Sequence, residues 1–81
     1  MGYKTADGSI DRNALFEHTE EGANVASDYE GNQGKIMIAL INHSYKVGEI
    51  EQHSGLKRRD VEKALPGLIR EKVVRHLKGA V

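Results

Sequence analysis

The side chains with the most chemistry to offer are seven cations toward the C-terminal end: Lys57, Arg58, Arg59, Lys63, Arg70, Arg75 and Lys78. The first three are consecutive, and Lys63 follows Arg59 by about one helical turn. Clustered guanidinium and ammonium groups attract anions over long range, and a phosphate backbone most of all. Asp60, Glu62 and Glu71 stand among these bases. A solvated face laced with local i,i+3 and i,i+4 pairs is therefore the competing reading.

Other chemistries find less to work with. His18, His43, His53 and His76 include no pair at i,i+3 or i,i+4, the spacing a helix uses to present two ligands to one metal. The absence of Cys excludes a disulfide framework, a thiolate zinc site and a cysteine nucleophile. Ser, His and Asp all occur, but without the pattern of a nucleophile elbow. The glycines at 22, 31, 34, 48 and 55 follow no phosphate-loop spacing. Glu20 and Glu21 would point apart on a helix, which separates them as an acid/base pair. The expectation is a non-enzyme that needs neither metal nor cofactor.

The zero net charge of these 81 residues conceals two unlike halves. Residues 1–34 hold seven acids against two bases, a net of −5; residues 35–81 hold ten bases against five acids, a net of +5. An acidic arm beside a basic module is the organisation this predicts. Apolar residues are 38 % of the chain and aromatics 5 %, enough for a small core. The run from Ile36 to Ile41 is far too short to span a membrane. The N-terminus lacks the apolar stretch of a secretory signal, so a cytoplasmic location is expected.

The elements that must position the cations can be sketched from spacing. Residues 1–33 read as an acidic N-terminal arm, partly flexible. Ser9 would cap a helix over Ile10–Glu21 that Gly22 ends, and a flexible connector would follow to Gly34. Residues 34–81 read as the folded domain. A nearly all-round buried helix is expected over Lys35–Asn42, then an edge strand at Tyr45-Lys46-Val47, with Gly48 capping a helix over Glu49–Ser54. Gly55-Leu56 turns the chain into a helix over Lys57–Arg70, and Val73, Val74, His76 and Leu77 resume strand-like alternation. The expected core is Ile36, Leu40, Ile41, Ile50, Leu56, Val61, Leu65, Leu68, Ile69 and Val74.

The order helix, short strand, helix, helix, strand resembles the winged helix-turn-helix family. Val47, Ile50, Gly55-Leu56, Val61, Leu65, Leu68 and Val73-Val74 carry the resemblance, within about the last 45 residues. It implies an α+β, mostly helical fold: a three-helix winged helix-turn-helix with a short or truncated wing. Three positions depart from the family's pattern. Glu51 stands where a small residue is usual and must tilt outward. Pro66-Gly67 predicts a kink or break after Leu65. Lys72 stands where a glycine usually precedes the wing.

The resemblance further implies double-stranded DNA as partner and a regulator of transcription as function. Helix 57–70 would enter the major groove. Arg58 or Arg59 would meet guanine, Lys57, Lys63 and Arg70 would meet phosphates, and Arg75 and Lys78 would touch the adjacent backbone. A palindromic site would call for a homodimer. The acidic arm could fold back on the basic face and weaken nonspecific binding. The alternative is a winged-helix protein–protein interaction module, an accessory subunit that never touches nucleic acid.

Overall fold

The first element of the described residues is a strand that local spacing conceals. The structure is a computed structural model and describes residues 10–77. Its elements are β1 (Leu15–His18), α1 (Glu20–Val25), a 3-10 turn (Ala26–Asp28), α2 (Gly31–Ala39), α3 (Val47–Ser54), α4 (Arg58–Arg70) and β2 (Val74–Leu77). The described residues thus form a mostly helical α+β domain of four α-helices and one two-stranded antiparallel sheet. The register pairs Leu15 with Leu77, Phe16 with His76, Glu17 with Arg75 and His18 with Val74. On its other edge β1 meets Tyr45: Phe16 N–H donates to the Tyr45 carbonyl at 2.8 Å, and Tyr45 N–H returns a bond to the Phe16 carbonyl at 2.9 Å.

The helix expected over Ile10–Glu21 is therefore absent, and the proposed cap Ser9 lies outside the described residues. Backbone pairing on both edges of β1, with Phe16 fully buried, outweighs the weak helical spacing of Ile10, Ala14 and His18. Thr19 starts α1 instead. Its hydroxyl accepts from Gly22 N–H at 3.0 Å and donates to the Lys72 carbonyl at 2.7 Å, while Glu20 and Glu21 suit the positive end of the helix. Gly22 is an interior residue of α1 and not its end. A Cβ there would lie 1.8 Å from the Val73 carbonyl oxygen, so only glycine lets α1 approach the chain entering β2. The stretch from Gly22 to Gly34 read as a flexible connector contains most of α1, the 3-10 turn and the start of α2, with buried Gly34 against the Tyr29 carbonyl.

The helices of the second half lie close to their expected places. α2 begins four residues early and ends at Ala39, where Asn42 (φ 60°) helps turn the chain. The edge strand expected at Tyr45-Lys46-Val47 reduces to the single Tyr45 bridge, because Val47 already belongs to α3. The N-cap of α3 is Lys46 rather than Gly48, and the Glu49 carboxylate accepts from Lys46 N–H at 3.1 Å. Gly55 closes α3 in the left-handed conformation, φ 77°.

α4 runs unbroken through Pro66, against the expected break after Leu65. Proline there removes only the bond to the Glu62 carbonyl one turn back, and Leu65 and Leu68 on either side stay buried. Lys72 adopts φ 63°, the conformation that explains why glycine would suit this position.

One core unites the two halves. Ile10, Ala14, Phe16 and Ala26 from the acidic half pack with Ile36, Met37, Leu40, Val47, Ile50, Leu56, Val61, Leu65, Leu68, Val73 and Val74. Two residues of the expected core stand elsewhere: Ile41 is 45 % exposed and Ile69 only partly buried. α2 is buried on one side only, since Ile38 is also 62 % exposed.

Candidate nucleic-acid interface

α4 sets the arrangement of the cations. Val61, Leu65 and Leu68 are its buried residues, and at 3.6 residues per turn the opposite face is occupied by Arg59, Lys63 and Arg70. All three are exposed, and none has an acidic partner among the described residues. They form a cationic stripe, with Pro66 lying along it. Lys57, the N-cap residue of α4, is exposed at the front of the helix.

Two of the other expected contacts are engaged within the protein. Arg58 Nε donates to Glu62 Oε2 at 3.1 Å, an i,i+4 pair along α4. Arg75 pairs with Glu17 across the sheet. Glu17 also accepts from Ser44 Oγ at 2.8 Å. The Ser44 hydroxyl first, and then Arg75, favour the ionised form and hold the Glu17 carboxyl below its ordinary pKa. One acidic side chain from the N-terminal half thus meets one base of the C-terminal half. Lys78 lies outside the described residues.

Three features escaped the sequence reading. Arg12 stands on a turn before β1 and lines an open groove with Lys46 and Arg58, from the front ends of α3 and α4. His18 Nε2 donates to the Met37 carbonyl at 2.7 Å and ties β1 to α2. His43, Tyr45 and His53 gather with near-parallel rings, their centroids 4.8 Å (His43 to Tyr45), 4.6 Å (Tyr45 to His53) and 6.5 Å (His43 to His53) apart. The ten residues separating the two imidazoles give no local hint of that cluster. Among the described residues no three His, Asp or Glu side chains converge to hold a metal ion.

No helix among the described residues is long and apolar enough to cross a membrane. Comparison with protein-family models, with curated proteins and with solved structures finds no match to this chain.

Proposed function

We propose that this chain is a small winged helix-turn-helix DNA-binding protein, a regulator of transcription that places α4 in the major groove. The observation that carries the reading is the stripe of Arg59, Lys63 and Arg70, exposed, unpaired among the described residues and opposite the core face of α4. The turn from α3 through Gly55 to α4 supports a helix-turn-helix, and β2 stands where a wing's first strand would follow. In this reading β1 supplies the strand that pairs with β2, from ahead of the helices. Arg59 is the side chain placed for a guanine edge, with Lys57, Lys63 and Arg70 for phosphates. Arg58 and Arg75 contribute less, because each already holds a carboxylate.

The test is fluorescence anisotropy of the full chain with random duplex DNA at two salt concentrations. Binding that weakens steeply with salt is expected, and Arg59→Ala with Lys63→Ala should remove most of it. No binding to duplex at low salt would overturn the reading. The second reading, a winged-helix module that docks on protein, is favoured by exposed Ile38 on α2 and exposed Ile41 in the turn that follows it. Under it, replacing both isoleucines by Ser would abolish complex formation, and the α4 variants would leave it intact.

A further inference from the structure

We propose that the groove between the Arg12 turn and the front ends of α3 and α4 seats a backbone phosphate of the duplex, with Arg12, Lys46 and Arg58 around it. The inference rests on the DNA-binding reading and adds a second point of attachment from the acidic half of the chain. The groove is open, about 470 Å³, and is lined also by Gln52, Glu49 and Glu51.

The turn presents Arg12 in a fixed place. Ile10 and Ala14, both buried, anchor it on either side. Ala14 N–H donates to the Asp11 carbonyl at 3.2 Å, and Asn13 N–H donates to Asp11 Oδ1 at 2.9 Å. The carboxylate next to Arg12 is thereby occupied by backbone, and Arg12 itself has no ion pair among the described residues. On the opposite wall Glu49 is committed in part to Lys46 N–H. Arg58 holds Glu62 through Nε, and a guanidinium has further N–H donors to offer.

Charge fits the same occupant. Three cations and two carboxylates line the groove, and while Arg58 also holds Glu62, Arg12 and Lys46 have no ion pair among the described residues. A phosphodiester carries one negative charge. Arg58 and Arg59 are consecutive on α4 and so point about 100° apart, which puts the groove on a different side of the helix from the stripe and makes it a separate point of attachment.

The experiment compares the full chain, Arg12→Ala/Lys46→Ala, Arg12→Lys and Arg59→Ala/Lys63→Ala on one duplex across a salt series, each checked by thermal melting. The Arg12→Ala/Lys46→Ala protein should keep its melting behaviour, bind more weakly and lose about one unit of the slope of log K against log salt. Arg12→Lys should retain most of that slope. An unchanged slope in Arg12→Ala/Lys46→Ala, with binding lost in Arg59→Ala/Lys63→Ala, would overturn the groove and leave the reading of α4 standing. Failure of the unaltered chain to bind duplex would overturn both.

Discussion

A surface base is available to a partner only insofar as its own chain has not already claimed it. Along α4 that rule separates neighbours: Arg58 holds Glu62, and Arg59, one residue on, holds nothing among the described residues. The strongest local claim is made by Glu17, which binds Ser44 and Arg75 together and so ties three parts of the sheet region. Its depressed pKa fixes the sign of a pH effect. A carboxyl whose folded pKa lies below its unfolded value stabilises the fold above the unfolded value, and that contribution is lost as pH falls through the folded one. Glu17→Gln should therefore lower thermal stability near neutral pH by about 0.2–1 kcal/mol, the range for exposed pairs. The difference from the parent should shrink as pH drops below the ordinary value of 4.5. Parallel melting curves at neutral and acid pH measure it; an equal difference at both would contradict the assignment.

At the scale of elements, the close approach of α1 to the chain entering β2 is the contact least tolerant of change. Gly22→Ala puts a methyl group into the Val73 carbonyl, a backbone group that cannot swing aside. Overpacking costs about 1–3 kcal/mol and occasionally more, and this site belongs at the upper end. Urea unfolding would show it as a lower midpoint. Gly48→Ala, where an added Cβ meets nothing within 4 Å, is the control.

The same element explains what could be read from sequence and what could not. α3 and α4 were legible because their signals are local: Gly55 at the turn, and Val61, Leu65 and Leu68 at helical spacing. β1 was not. Leu-Phe-Glu-His is four residues long, and its partners Tyr45 and Val74–Leu77 lie far along the chain. The spacing of Ile10, Ala14 and His18 imitated a helix in the meantime. Of the candidate interface, the bases on α4 could be read directly, but not which of them are paired. Glu62 stands at the right spacing to take Arg58, whereas only the sheet register brings Glu17 to Arg75. Arg12 was hidden for the same reason as β1, since folding, not sequence proximity, brings it beside Lys46 and Arg58.

For the whole molecule, the division by charge is not a division of the core. The acidic half contributes Ile10, Ala14, Phe16 and Ala26, and β1 shields one edge of β2 while bonding to Tyr45. A fragment of residues 33–81 would keep all the bases of the basic half and remove the only fully buried aromatic ring among the described residues. Truncating a buried Phe to Ala alone costs about 3–5 kcal/mol, and domains as a class hold about 5–15 kcal/mol in total, with small ones toward the low end. Losing the whole segment removes that ring, three smaller core residues and a strand at once. The fragment should therefore show no cooperative thermal transition, whereas Phe16→Ala in the full chain should melt cooperatively at a much lower temperature or fail to fold. Circular dichroism on the three proteins decides it. A cooperative transition in the fragment near that of the full chain would mean that the basic half is a domain by itself and that the segment merely decorates it. Loss of the transition would mean that the segment completes the fold, so that any weakening of DNA binding on its removal measures unfolding as well as the loss of Arg12.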